Sequence, residues 1–218
     1  MVPTLNAADT LPLLLPVLRT GTVGEVVIVD GGSTDRTVAL ARMAGARILA
    51  SQPGRGIQLA AGAAVAGGEW LLFLHADCRP QPGWEAAIGG FITAPGAAER
   101  VGYFDLALDD RTPAARRIER IVAWRCRRLG LPYGDQGLLI ARSLYDAVGG
   151  FAPLPLMEDV DLVRRLGRRR LARIGVRIIA SARRYRRDGW LRRPLRNLFC
   201  LALYFAGVPL RHIVRLYG

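Results

Sequence analysis

Short apolar runs that close on polar or acidic residues alternate with helix-like stretches through the first half of the chain. Val26-Val27-Ile28-Val29 ends at Asp30, and Trp70-Leu71-Leu72-Phe73-Leu74 ends at His75; β-branched and aromatic runs of this length suit strands buried in a sheet. The pattern predicts strands over 25–30, 47–50 and 70–75. It predicts helices over 10–18, 34–43, 56–66 and 83–93, with Thr34 or Asp35 as a cap and Gly45 as a stop. Pro12 is tolerable in a first turn, whereas Pro16 should kink or shorten its helix. Such alternation specifies βαβ units, and right-handed crossovers then favour a mainly parallel central sheet.

The second half changes character. Residues 101–108 alternate as a strand covered on one face, 113–129 form a strongly basic helix, 137–141 a strand and 158–166 a helix. Arginine is dense over 164–196, where Asp188 is the only acidic residue. An apolar run follows, Leu198-Phe199-Cys200-Leu201-Ala202-Leu203-Tyr204-Phe205-Ala206, and then Arg211 and Arg215. That run is short of the about 20 residues a membrane span needs.

Composition narrows the chemistry. The 218 residues suffice for one domain with a sizeable core, and 51% apolar content argues against disorder. The net charge is +13 and every basic residue other than histidine is arginine. Without lysine there is no P-loop lysine, no Schiff base and no lysine general base. Phosphate recognition falls to arginine, whose planar fork suits it. Cys78, Cys126 and Cys200 are far apart and read as reduced, buried thiols. With histidine only at 75 and 212, a His-rich metal site is excluded, and no nucleophile elbow is present. No secretory signal precedes the first motif, so the expected compartment is the cytoplasm.

Three acidic groups could carry chemistry. Asp30, followed by Gly31-Gly32-Ser33-Thr34-Asp35, stands at a strand end where a carboxylate can accept from a base N–H or ribose hydroxyls; alone, the string also reads as a capped turn. His75 and Asp77 follow the next strand. Glu158, Asp159 and Asp161 crowd a helix start, where like charges raise a pKa and the helix N-terminus opposes the rise.

Taken together, Pro3-Thr4-Leu5-Asn6, the V-I-V-D-G-G-S-T-D string, Gly54-Arg55-Gly56 and Gly67-Gly68-Glu69-Trp70 before His75-Ala76-Asp77 resemble the family 2 glycosyltransferases over residues 2 to about 170. The L-H-A-D, G-D-Q and M-E-D strings resemble a bacterial branch associated with radical-SAM/selenodomain genes. The resemblance implies an α/β, GT-A-like nucleotide-diphospho-sugar transferase domain over 1–190, with a nucleotide-sugar half (1–95) and an acceptor half (96–190), and a basic C-terminal helical tail over 191–218. It implies donor contacts from Pro3, Thr4, Asn6, Asp30, Arg55, His75 and Asp77, and acceptor contacts from Asp135, Gln136 and Glu158. Asp77 matches the last aspartate of the D-x-D motif that holds Mg²⁺ or Mn²⁺ on the donor diphosphate. His75 replaces the first aspartate; donor contact, metal ligation and simple packing stay open for it. Asp159 matches the catalytic base of an inverting transfer. Ala60 stands where relatives often carry asparagine, and the Q-x-x-R-W motif of processive synthases is absent, which implies transfer of a single sugar.

The expected partners are a nucleotide-diphosphate sugar, a hydroxyl acceptor that includes lipid-linked ones, and an anionic membrane surface. The tail's arginines and apolar residues suit peripheral attachment to the inner face of the cytoplasmic membrane. A C-terminal helix packed on the core is the alternative. Nucleic acid ranks last, because no recognised motif accompanies the arginines. The rival functions are a sugar-nucleotide pyrophosphorylase, whose glycine-rich N-terminal signature is missing, and an inactive adaptor on the same fold.

Overall fold

The computed structural model describes residues 1–19 and 23–217. In chain order the elements are β1 (Val2–Thr4), α1 (Leu11–Leu18), β2 (Val27–Asp30), α2 (Thr37–Met43), β3 (Arg47–Ala50), α3 (Arg55–Val65), β4 (Trp70–Phe73), β5 (Cys78–Pro80) and α4 (Trp84–Ile92). The second half contributes β6 (Val101–Leu108), α5 (Pro113–Leu129), β7 (Leu138–Ala141), α6 (Arg142–Ala147), α7 (Glu158–Leu166), β8 (Leu171–Ala180), α8 (Arg183–Asp188), α9 (Arg192–Phe205) and α10 (Leu210–Tyr217).

Strands β1, β2 and β3 form a parallel sheet, with Thr4 level with Asp30 and Asp30 with Ala50. The remaining five strands run in the order β4-β7-β6-β8-β5. Met1 joins the two sheets: its nitrogen donates to Leu72 O at 2.7 Å, and Leu74 N donates to Met1 O at 3.0 Å. The parallel expectation holds for the first sheet. In the second, β7 is antiparallel to both β4 and β6, and β5 to β8, so that half is mixed.

The core between sheet and helices is built from side chains such as Leu71, Trp84, Phe104, Leu138, Ile140 and Leu162, all essentially without exposed surface. Each contributes about 1.5–3 kcal/mol by burial, before the cost of ordering it. Helix α7 shows the logic in one element. Val160, Val163 and Leu166 recur at helical spacing and are buried, acids occupy its first turn and Arg164 and Arg165 its last, matching the helix dipole, and Gly167 at φ 76° ends it.

Two expectations shift. Neither Thr34 nor Asp35 caps α2, which begins at Thr37 without a side-chain cap. Asp35 instead accepts from Thr37 N at 2.9 Å and from Ala8 N at 3.1 Å, tying the turn to the loop after β1. And the arginine-dense stretch hides the longest strand, β8, with Arg173 and Arg177 on its exposed face and Ile178 and Ala180 buried.

Candidate active site

Strands β4, β6 and β8 of the mixed sheet run the same way and end at a cleft, as strands do at ligand sites in open α/β sheets. It is lined by Arg55, His75, Asp77, Asp135 and Asp159, by Tyr133 and Met157, and by Arg184, Tyr185, Arg193, Asn197, Leu201 and Tyr217 from the C-terminal elements. Asp77, Asp135 and Asp159, far apart in the sequence, therefore meet in one place.

Asp159 is held by two backbone amides. Its Oδ2 accepts from Gly134 N at 2.7 Å and its Oδ1 from Val160 N at 2.7 Å. Met157, just before the helix, sits at φ 64°, a left-handed conformation that a non-glycine residue adopts at a cost. Gly134 is required by space: a Cβ there would lie 2.4 Å from His75 Nε2 and 3.4 Å from Asp159 Oδ2. The glycine thus lets the 134–136 turn, His75 and Asp159 close on one another.

His75 is pushed down to about 4, first by burial and then by the Arg55 charge, so the ring is neutral at physiological pH. Its Nε2 is buried with no hydrogen-bond partner among the described residues. Asp135 is raised by burial, and its Oδ1 also lacks a partner. The buried Cys78 thiol, itself raised by burial, points between Asp77 Oδ1 at 3.6 Å and Asp135 O at 3.5 Å.

Arg55 opens α3, with Nε 3.3 Å from Oε1 of Glu158. Glu158 has no exposed surface, and burial outweighs the arginine and lifts its carboxyl to about 7. The acceptor role expected of Glu158 is therefore corrected. With no exposed surface its side chain does not line the main cleft, and it lies behind Arg55, which does.

Gln136 is corrected in the same way. It is 1% exposed; Nε2 donates to Phe104 O at 3.0 Å, and Oε1 accepts from Cys126 Sγ at 3.0 Å and Arg125 Nη2 at 3.3 Å. Its hydrogen-bonding groups are used within the protein, pinning the 134–136 turn to β6 and α5.

Pro3, Thr4, Asn6 and Asp30 cluster beside the first sheet rather than around the main cleft. Asp30 Oδ1 accepts from Thr4 Oγ1 at 3.0 Å and Ser33 Oγ at 2.5 Å, while Oδ2 accepts from Gly32 N at 3.0 Å and Ser33 N at 2.8 Å. A carboxylate has about four acceptor positions, so a ligand N–H would have to displace one of these bonds. Asn6, at φ 50°, accepts from Thr34 N at 2.9 Å and is likewise engaged in the turn.

Sequence reasoning missed the wall made by α8, α9 and α10. Arg193 is 2% exposed, donates to Asp188 and to Tyr217 O at 3.2 Å each, and lies 4.4 Å from the Tyr217 ring centroid. Arg55 approaches the same ring at 5.9 Å. Asn197 Oδ1 is buried with no partner among the described residues. The available signal was the spacing of Arg193, Asn197 and Leu201, four apart on one helical face.

Among the described residues no three His, Cys, Asp or Glu side chains converge as a ready-made cation cage. Asp77 and the unpartnered imidazole of His75 fit a cation that draws its other ligands from a diphosphate and water.

An α/β sheet with a carboxylate-lined cleft at its strand ends, faced by arginines, is an arrangement of the GT-A fold. Residues 1–154 match the family Glycosyl transferase family 2, and the chain belongs to that family. A "PGL/p-HBAD biosynthesis glycosyltransferase" of Mycobacterium bovis is 41% identical over 92 residues, 35% of this chain and 34% of that protein, and its Mycobacterium tuberculosis counterpart matches equally. The chain thus spans about a third of the curated relatives it matches. Glucosyl-3-phosphoglycerate synthase from Mycobacterium tuberculosis, in complex with Mn²⁺, uridine diphosphate and glucosyl-3-phosphoglycerate, superposes with TM-score 0.65 at 22% identity, over 95% of this chain and 79% of that one. The same enzyme with Mg²⁺ and uridine diphosphate gives TM-score 0.63 at 21% identity, over 95% and 78%. These likenesses show the fold.

Proposed function

We propose that the protein transfers a single sugar from a nucleotide-diphosphate donor to a hydroxyl acceptor, with inversion at the anomeric carbon. The observation that carries this reading is the placement of Asp159, its two oxygens fixed by the Gly134 and Val160 amides, in the same cleft as Asp77 and Arg55. Asp159 takes the proton of the acceptor hydroxyl. The oxygen then attacks the anomeric carbon as the bond to the diphosphate breaks. Arg55 and Arg184 face the negative charge that gathers on the departing diphosphate, and Arg55, already placed by Glu158, needs little reorganisation. Asp77, with His75 beside it, would hold Mg²⁺ or Mn²⁺, a cation that supplies further neutralisation of the diphosphate when bound. The structural relatives complexed with uridine diphosphate and Mn²⁺ or Mg²⁺ support a uridine nucleotide as the first donor to test. Hydroxyls carried on lipid are the acceptor class we favour, from the arginine-rich tail beside the cleft.

Calorimetric titration with UDP-, GDP- and dTDP-sugars, with and without Mn²⁺, tests the donor site. Metal-dependent binding of one nucleotide, lost in Asp77→Asn and kept in Asp159→Asn, is the expected result. Absence of binding to all three classes would overturn the reading. For the stereochemistry, proton NMR of the product must show the anomeric configuration opposite to the donor's.

A further inference from the structure

Helix α9 presents an apolar stripe on the side that meets water. Its inward side carries Arg193, Asn197 and Cys200, and its solvent side carries Leu191 just before it, Leu195, Leu198, Phe199 and Phe205, each about half to two-thirds exposed. At 100° per residue, these five and the exposed Ala202 fall within an arc of roughly 120°. A helix packed on a globular core places its apolar stripe inward. Here the inward side is used twice, Arg193 and Asn197 walling the cleft and Cys200, Leu201, Leu203 and Tyr204 packing with Leu156, Met157 and Val160, and a second apolar stripe is left outside.

Charge surrounds the apolar arc. From Gly189 to Gly218 the chain has no acidic residue, and it carries Arg192, Arg193, Arg196, Arg211 and Arg215. Arg192 follows Phe199 around the helix, at the edge of the arc, and α10 adds the exposed Val214 and Leu216 with Arg211 and Arg215. Among the described residues no helix is long and apolar enough to cross a membrane.

We propose that the outer face of α9, with the adjoining surface of α10, docks on the surface of an anionic lipid bilayer. The apolar arc enters the headgroup boundary, and Arg192, Arg211 and Arg215 pair with lipid phosphates. A wholly protein partner would satisfy the apolar arc equally, but the exclusively positive rim selects a surface that is negative everywhere. Helix thickness then sets the cleft about 10 Å from the lipid phosphates, within reach of a headgroup-borne hydroxyl. The docking goes beyond the transfer reading and is tested apart from it.

The experiment is co-sedimentation of the full chain with vesicles of phosphatidylcholine alone and of phosphatidylcholine mixed equally with phosphatidylglycerol. The expected result is retention on the mixed vesicles and little on the neutral ones. Leu195→Ser with Phe199→Ser, both exposed and so harmless to the core, lowers the partition by at least about tenfold. Arg192→Ser with Arg211→Ser removes the preference for anionic lipid. Sugar-nucleotide binding stays as in the parent protein in all variants, so a failed donor site and a failed docking surface are distinguishable. No retention on mixed vesicles, or retention that the Leu195/Phe199 pair leaves unchanged, overturns the proposal. So does a concentration-dependent dimer, seen by light scattering, that this pair abolishes without vesicle binding; the face then belongs to a second copy of the chain.

Discussion

Arg55 Nε stands 3.3 Å from a carboxylate oxygen of Glu158, a side chain with no exposed surface. The pair joins the first turn of α3 to the first turn of α7, and so connects the Arg55 wall of the cleft to the helix that carries Asp159. Removing one partner of such a pair leaves the other buried alone, at a cost of about 3–5 kcal/mol when it stays charged. Arg55→Ala is therefore expected to lower the melting temperature more than Arg55→Ala combined with Glu158→Gln. Thermal melts of the two variants check it; equal losses would mean the ion pair is not what couples the helices.

The same carboxylate sets a pH dependence. Its folded pKa, about 7, lies above its ordinary value of 4.5, so between these values the folded state holds a proton that the unfolded chain has released. Stability contributed by this group is thus present at the acid end of that window and is lost as pH rises through it. In melts across the window, Glu158→Gln should show a shallower decline than the parent protein.

Gly134→Ala drives a methyl group into His75 Nε2. We expect a loss of about 1–3 kcal/mol and a fall in turnover, since the same turn supplies the amide that holds Asp159. Adding His75→Ala should return part of the stability. The stability cycle over the four proteins should then be clearly non-additive.

Asp159→Asn keeps an oxygen to accept from Gly134 N but cannot take a proton. Turnover should fall about 10²–10⁴-fold, with donor affinity nearly unchanged. Release of nucleoside diphosphate, set beside a calorimetric titration, separates the two quantities.

Asp30→Asn converts an acceptor-only group into one that also presents N–H groups to the Ser33 and Gly32 amides or to the Thr4 and Ser33 hydroxyls. The expected outcome is a stability loss of about 1–3 kcal/mol, the penalty for an unmatched buried polar contact. If donor affinity drops while the melting temperature holds, Asp30 reads the ligand rather than building the turn.

Much of this molecule is legible before folding, for definable reasons. The bounds of β6, α5 and α7 follow from uninterrupted periodicity between clear stops, and Asp77 and Asp159 were found because strand ends and helix starts are where the fold gathers acids. What stayed hidden depended on neighbours distant in sequence. Strand β8 alternates, but its arginines suggested surface charge and masked the period of two. Gln136 and Glu158 sit beside the cleft-lining Asp135 and Asp159 in the chain, yet point into the protein; whether a polar side chain turns inward is decided by partners such as Phe104 and Arg55. The tail's composition suggested a surface role, and nothing local showed that Arg193 and Tyr217 would close one side of the cleft.

Helix α9 carries the wall of the cleft on one side and bare leucines and phenylalanines on the other. The two roles are interlocked by helical phase. Deleting one residue between Arg193 and Leu195 would turn everything after it by about 100°, moving Asn197 and Leu201 off the cleft as the outer stripe swings aside. Point substitutions can drift on either side independently. Insertions and deletions cannot, and this helix should vary among related chains by exchange of residues at constant length.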